Sequence, residues 1–126
     1  MHSHNPGFLK LVDAARARVR EVSVSEVRAR KDRGEDFFLV DVREEGEWNA
    51  GRAVGAEHLG KGIIERDVES RFPALDTPLV LYCGGGYRSV LAADVLQTMG
   101  YTRVESMAGG WKAWVSEGGP CASPGP

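Results

Sequence analysis

Seven consecutive residues combine a nucleophile, a flexible backbone and a positive charge. In order they are Cys83, Gly84, Gly85, Gly86, Tyr87, Arg88 and Ser89. The three glycines let the backbone turn through conformations that other residues resist, so that successive amide N–H groups can point inward around the sulfur. A helix beginning near the arginine would direct its positive end at the same concavity. Together with the guanidinium charge, these effects favour a thiolate and predict a cysteine that is nucleophilic at neutral pH.

A cysteine or a glycine-rich turn can also have other roles. An isolated cysteine at the end of a strand is usually a small buried hydrophobic side chain. A glycine-rich turn between a strand and a helix can hold a nucleotide phosphate. This one has neither the Gly-x-Gly-x-x-Gly order nor the Lys-Ser/Thr ending of a Walker motif. The combination of residue types in one turn favours a reactive site.

Two continuous apolar runs predict the strands that position this loop. One covers Phe37 to Val40 and stops at Asp41, and the other covers Leu79 to Tyr82 and stops at Cys83. Such runs are typical of central strands in a parallel sheet, which are buried on both faces. Because ligands bind beyond the carboxyl ends of these strands, the cysteine lies where a site is expected.

The remaining chain alternates between helical and strand patterns. The predicted helices cover 8–19, 26–32, 88–99 and 111–115, and the further predicted strands cover 22–24 and 103–107. Ser25 is the predicted N-cap of the second helix, and Gly34 follows its end. The alternation predicts a parallel sheet covered by helices on both faces.

The motifs around the loop resemble those of the rhodanese family. The loop itself, with Cys first and Arg sixth, is similar to the family's active-site loop. Residues 39–44 resemble its Val-Asp-Val-Arg-Glu stretch, 51–59 its Gly-His-Ile-Pro-Gly-Ala-x-His-Leu segment, and 107–114 its Gly-Gly-x-x-x-Trp ending. Within the second motif, residues 52–54 replace His-Ile-Pro, and Gly60 replaces a common Pro just after it. These departures lie in a connecting segment away from the nucleophile.

The resemblance implies a three-layer α/β fold with a mainly parallel sheet flanked by helices on both faces. We therefore expect a helical extension over 1–20, a rhodanese-like domain over 21–118 and a flexible tail over 119–126. The resemblance also implies that Asp41 and Arg43 lie beside the Cys83 strand, where we interpret them as a buried ion pair that supports the loop.

The chemistry implied by the resemblance is sulfur transfer in two steps. Cys83 would take a sulfur atom from thiosulfate or a similar donor as a persulfide, and an acceptor such as cyanide or a thiol would then remove it. Residues 84–89 would bind the anionic donor, with Arg88 supplying charge or, alternatively, a structural salt bridge. Tyr87 would flank the pocket mouth, and Ser89 would either cap the helix or donate into the anion site.

Two alternative functions remain open. Phosphatases and arsenate reductases related to this fold have one more residue between Cys and Arg, which makes them the less favoured class. A persulfide carrier that serves a partner protein is the other alternative, because the motifs do not distinguish a relay from an efficient enzyme.

Composition limits the other classes of function. The net charge is −2 with acidic and basic residues interspersed, so we expect no nucleic-acid partner. No apolar stretch approaches the ~20 residues that span a bilayer, and we expect no membrane association. With two cysteines and no recognisable signal peptide, the sequence favours a cytoplasmic protein with free thiols. We expect no metal or organic cofactor, and we interpret His2 and His4 as part of a flexible start.

Overall fold

The computed structural model describes residues 4–123. Its helices are α1 (Pro6–Arg16), α2 (Val24–Asp32), α3 (Glu45–Ala50), α4 (Ile64–Arg71), α5 (Arg88–Thr98) and α6 (Gly110–Ser116). Its strands are β1 (Arg20–Val22), β2 (Phe38–Asp41), β3 (Arg52–Ala53), β4 (Glu57–His58), β5 (Leu79–Tyr82), β6 (Val104–Met107) and β7 (Cys121–Ala122). Every helix in this part of the chain is too short or too polar to span a bilayer.

The main sheet has five strands in the order β1-β6-β5-β2-β4, and every neighbouring pair is parallel. The two apolar runs form the adjacent strands β2 and β5, in a register that places Asp41 opposite Tyr82. The carboxyl ends of these strands therefore lie side by side. The predicted mainly parallel α/β fold is confirmed.

Helices cover both faces of the sheet, as expected. Leu79 and Leu81 of β5 pack on one face with buried residues of α1, α4 and α5. Val80 and Tyr82 point to the opposite face, where they pack with α2 and α6. Successive side chains of a strand alternate between faces, so a four-residue apolar run supplies both layers of the core.

The start of α2 differs from the prediction. The helix begins at Val24, and its N-cap is Ser23, whose hydroxyl accepts a hydrogen bond of 3.1 Å from the Glu26 amide. The prediction of Ser25 as N-cap and of a strand over 22–24 was therefore wrong. The strand ends at Val22, and the apolar side chain of Val24 is buried from within the first helical turn instead.

The two ends of the described chain pack against the domain. Helix α1 is shorter than predicted at its end, and its Val12 and Ala15 are buried in the core. Beyond α6, strand β7 pairs antiparallel with β3, and the indole N–H of Trp114 donates to the Pro120 carbonyl at 2.9 Å. Residues 1–3 of the predicted extension and 124–126 of the predicted tail lie outside the described range.

Candidate active site

The sulfur of Cys83 lies at the carboxyl end of β5 and is surrounded by hydrogen-bond donors. The amides of Gly86 and Ser89 donate to it at 3.1 and 3.3 Å, and the Ser89 hydroxyl lies 3.4 Å away. The residue is 1 % exposed. Donors from a glycine turn and from the first turn of α5 stabilise negative charge on the sulfur.

Ser89 links the sulfur to the neighbouring strand. Its side chain is fully buried, and its hydroxyl lies 2.8 Å from the hydroxyl of Ser106 on β6. Tyr87, not Ser89, occupies the N-cap position of α5. Ser89 is therefore not the cap of this helix, and its amide and hydroxyl lie beside the sulfur.

The start of α6 holds the backbone of the Cys83 loop from the other side. The amide of Trp111 donates to the Cys83 carbonyl at 2.7 Å, and the amide of Lys112 donates to the Gly84 carbonyl at 3.0 Å. At Gly110, which has a φ of +53°, a Cβ atom would collide with the Cys83 carbonyl oxygen. The Gly-Gly pair before Trp111 thus permits a backbone contact that fixes the loop.

Arg88 is paired with a carboxylate that the sequence did not suggest as its partner. Two of its nitrogens donate to the two oxygens of Glu47 on α3, at 2.8 and 3.1 Å. This hydrogen bonding raises the pKa of Arg88 and lowers that of Glu47 from their ordinary values. The guanidinium also packs on Gly84, where a Cβ atom would lie 3.0 Å from one of its nitrogens. The charge beside the sulfur is therefore largely compensated.

Glu47 also serves the helix that carries it. It accepts a hydrogen bond of 3.0 Å from the Glu44 amide, while the Glu44 side chain accepts from the third residue of α3. A capping box satisfies free amides at the start of a helix, and acidic side chains there also interact favourably with the helix dipole. The same carboxylate thus fixes the helix end and orients Arg88.

Asp41 and Arg43 form a buried ion pair next to the loop. Their closest oxygen and nitrogen are 2.7 Å apart, and the side chains are 0 and 4 % exposed. The Arg43 guanidinium also donates to the Gly51 carbonyl at 2.6 Å and stacks on Trp111 at 4.8 Å. Through Trp111, whose amide binds the Cys83 carbonyl, the pair is connected to the loop without touching the sulfur. That it supports the loop stays a prediction.

A cavity of about 480 Å³ is lined in part by Cys83. Its wall combines aromatic, glycine and charged residues, namely His4, Phe8, Glu47, Cys83, Gly84, Gly85, Tyr87, Arg88 and Lys112. Tyr87 therefore lines the pocket. Helix α1 also contributes to it, although the sequence motifs placed the site within the domain over 21–118.

A second cavity of about 510 Å³ lies at the opposite ends of β2, β5 and β6. Arg30 and Glu105 in its lining are 2.6 Å apart and bind each other. Because it contains neither cysteine, this cavity is not the candidate active site. Over residues 4–123, no group of three or more His, Cys, Asp or Glu residues is arranged to hold a metal ion.

A parallel sheet with a cysteine in a cradle of amides at the end of its central strand defines a rhodanese-type site. The family model of the rhodanese-like domain matches residues 23–117, and the chain belongs to this family.

Curated relatives include proteins named as sulfurtransferases. The chain is 34% identical to a sulfurtransferase of Allochromatium vinosum, over 84% of this chain and 97% of the relative. It is 30% identical to the thiosulfate sulfurtransferase GlpE of Pseudoalteromonas translucida, over 75% and 88%. It is also 36% identical to the uncharacterised YqhL of Bacillus subtilis, of which it spans 59%. These relatives support a transferase role.

Solved structures agree on the fold. A protein of unknown function from Rhodopseudomonas palustris, described as a possible tyrosine phosphatase, is similar with a TM-score of 0.83 and 28% identity. The match covers 97% of this chain and 98% of that one. The rhodanese-like domain of the Anabaena Alr3790 protein is similar with a TM-score of 0.76 and 25% identity, over 82% and 79%.

Sequence reasoning missed four contributors to this pocket, and one of them is His4, which the sequence assigned to a flexible start. Phe8 comes from a helix outside the family match, Glu47 lies between the motifs 39–44 and 51–59, and Lys112 occupies a variable position of the motif 107–114. Their proximity to Cys83 arises from packing between elements. No spacing in the sequence signals it.

Proposed function

We propose that the protein is a sulfurtransferase that moves a sulfane sulfur through a Cys83 persulfide, with thiosulfate or a similar compound as donor. The acceptor is cyanide or a thiol, and donor and acceptor are small molecules or are carried by a protein. We also propose a cytoplasmic location, where both cysteines stay as free thiols.

In the first step the Cys83 thiolate attacks the outer sulfur of thiosulfate. A sulfur–sulfur bond to Cys83 forms, the bond between the two thiosulfate sulfurs breaks, and sulfite leaves with that electron pair. In the second step cyanide attacks the outer persulfide sulfur, thiocyanate leaves, and the Cys83 thiolate is restored. Each step is a displacement at sulfur and requires no redox cofactor.

The contacts around the sulfur carry this proposal. The amides of Gly86 and Ser89 and the Ser89 hydroxyl all lie within 3.4 Å of it. These donors can stabilise the charge of the thiolate and, after transfer, of the persulfide. Arg88 lies beside Gly84 in the same pocket, where Glu47 offsets part of its positive charge.

Intact-mass analysis after treatment with thiosulfate tests the persulfide. We expect native protein to gain the mass of one sulfur atom and to lose it again when cyanide is added. The Cys83→Ser variant should gain nothing, whereas Cys121→Ser should behave like the native chain because its thiol is exposed on β7, away from the lining of the pocket. A gain that persists in Cys83→Ser would refute the assignment.

The alternative of a persulfide carrier uses the same residues with slow turnover. It predicts negligible thiosulfate–cyanide activity together with rapid persulfide loading from a cysteine desulfurase. The steady-state rate and the loading rate, measured on one sample, decide between enzyme and carrier.

The phosphatase alternative is favoured by one observation, the likeness to the Rhodopseudomonas protein described as a possible tyrosine phosphatase. Against it, four residues separate Cys83 from Arg88. Two of the loop's amides are also directed at the sulfur itself. Hydrolysis of an aryl phosphate by the sample used for the sulfur assays tests this alternative, and we expect no activity above that of Cys83→Ser.

A further inference from the structure

The pocket in front of Cys83 has an apolar wall supplied by a helix outside the family domain. Phe8 of α1 and His4, two residues before this helix, line the cavity together with Tyr87 of the loop. The family match begins at residue 23, so α1 is an addition to the domain. Its placement follows from burial of Val12 and Ala15 and from the pair formed by Arg18 and Asp94, whose closest atoms are 2.8 Å apart.

The aromatic side chains of this wall hold each other in place. The ring of Tyr87 lies 4.3 Å from that of His4 and 6.1 Å from that of Phe8, between centroids. The guanidinium of Arg16, also on α1, lies 5.0 Å from the Tyr87 ring. These contacts favour an ordered ring surface over a mobile loop side chain.

The charges in the pocket do not favour a small inorganic anion as strongly as the sequence suggested. Both terminal nitrogens of Arg88 already bind Glu47, which offsets the guanidinium charge. Lys112 is the other cationic side chain described in the lining. An uncharged apolar group can pack on the Phe8 and Tyr87 rings without displacing an ion pair.

We propose that Phe8 and Tyr87 are specificity-determining residues that favour sulfur compounds carrying an aromatic or similarly apolar group. In the sulfurtransferase reaction this compound is an organic thiol acceptor: its sulfur attacks the outer sulfur of the Cys83 persulfide, the new thiol persulfide leaves, and Cys83 is restored. This inference rests on the proposed function for the identity of the reaction, whereas the preference of the pocket can be measured without sulfur transfer.

Two thiosulfonates with the same reacting group provide that measurement. Methyl and benzyl methanethiosulfonate both transfer their alkylthio group to a thiolate, forming a mixed disulfide and releasing methanesulfinate. We expect Cys83 to prefer the benzyl reagent by about tenfold, a ratio that burial of a phenyl ring can supply. Peptide mass analysis assigns each label, and the exposed Cys121 reports the intrinsic ratio of the two reagents in the same molecule.

Variants of α1 test the origin of the preference. Phe8→Ala should reduce the benzyl-to-methyl ratio at Cys83 at least fivefold, while Phe8→Leu should retain most of it. Leu11→Ala is the matched control, because Leu11 is on the same helix and 63% exposed. A ratio at Cys83 equal to that at Cys121, or one unchanged in Phe8→Ala, would overturn the proposal.

Acceptor assays then connect the preference to turnover. With persulfide-loaded protein we expect benzyl mercaptan to react faster than 2-mercaptoethanol, and Phe8→Ala to slow benzyl mercaptan more than it slows 2-mercaptoethanol or cyanide. Equal losses for all acceptors would indicate a structural role for Phe8 and contradict the proposal. If no persulfide forms, the proposed function fails, and the labelling ratio still decides whether the wall selects apolar groups.

Discussion

Among single residues, Glu47 decides how much of the positive charge of Arg88 is available to a bound anion. An arginine in the loop suggests a free positive charge for an anionic donor, but here both terminal nitrogens bind the carboxylate of α3. The cavity is open to solvent, and the pair is about one-third exposed, so water and salt reduce its strength. Glu47 therefore limits how strongly Arg88 attracts a donor anion.

Replacing Glu47 by glutamine should strengthen the binding of an anionic donor. Glu47→Gln removes one negative charge beside Arg88 while keeping an oxygen that can accept from the Glu44 amide. We expect KM for thiosulfate to fall by about three- to tenfold at low ionic strength, and the difference to shrink as salt is added.

Glu45→Gln is the matched control, because it removes the same charge from the first turn of α3. Its KM should stay within twofold of the native value. An unchanged or higher KM in Glu47→Gln would show that the ion pair is required to position Arg88.

At the scale of elements, the loop between β5 and α5 depends on glycine unevenly. Gly86 has a φ of +97°, and a Cβ atom there would lie 3.0 Å from the Gly109 nitrogen. Gly85 has no such restriction, since its Cβ would meet only the Tyr87 ring at 3.8 Å. The backbone conformation that directs the Gly86 amide at the sulfur therefore requires glycine at one of these two positions.

This difference predicts unequal effects of two alanine substitutions on stability. Gly86→Ala should lower the free energy of unfolding by about 1–3 kcal/mol, because alanine is strained at positive φ and crowds Gly109. Gly85→Ala should change it by less than ~0.5 kcal/mol. Urea denaturation measures both, and equal effects of the two substitutions would contradict this account of the loop.

At the scale of the whole molecule, ion pairs connect elements that are distant in sequence. Arg88 joins α5 to Glu47 of α3, and Arg18, two residues beyond α1, pairs with Asp94 of α5. Hydrogen bonding to the arginine lowers the pKa of Glu47 and of Asp94 from their ordinary values of 4.5 and 3.8. The stability of the molecule should therefore depend on pH.

The sign of this dependence follows from the direction of the pKa shifts. A carboxylate whose pKa is lower in the folded chain stabilises the fold fully above its unfolded value, and it loses this contribution as pH falls through the folded value. We expect the free energy of unfolding to decline as pH is lowered from about 5, where the unfolded groups begin to bind protons.

Urea denaturation at a series of pH values measures this dependence. Asp94→Asn should decline less steeply than the native chain over the same range. A native profile that is flat between pH 5 and 3 would show that these pairs contribute little.

Several features of the molecule were predictable because they depend on neighbouring residues. The apolar runs 37–40 and 79–82 gave adjacent strands that are buried except at Phe38, and the turn 83–89 gave a cysteine whose sulfur accepts hydrogen bonds from backbone amides. The N-cap of α2 was predicted wrongly because two nearby serines are almost equally suitable for that position. Ser23 and Ser25 are both suitable N-caps, and only the end of β1 at Val22 selects the first.

The fold class and the position of Cys83 in a glycine turn could be predicted from short segments of the sequence, because strand periodicity and turn chemistry are local properties. In contrast, the pairing of Glu47 with Arg88 and the place of Phe8 of α1 in the pocket wall follow from how the elements pack. Glu47 lies 41 positions before Arg88 in the sequence, and Phe8 lies 75 positions before Cys83. The docking of helices on a shared sheet brings each of them near its partner. Their proximity depends on the packing of the whole core, which no short segment specifies.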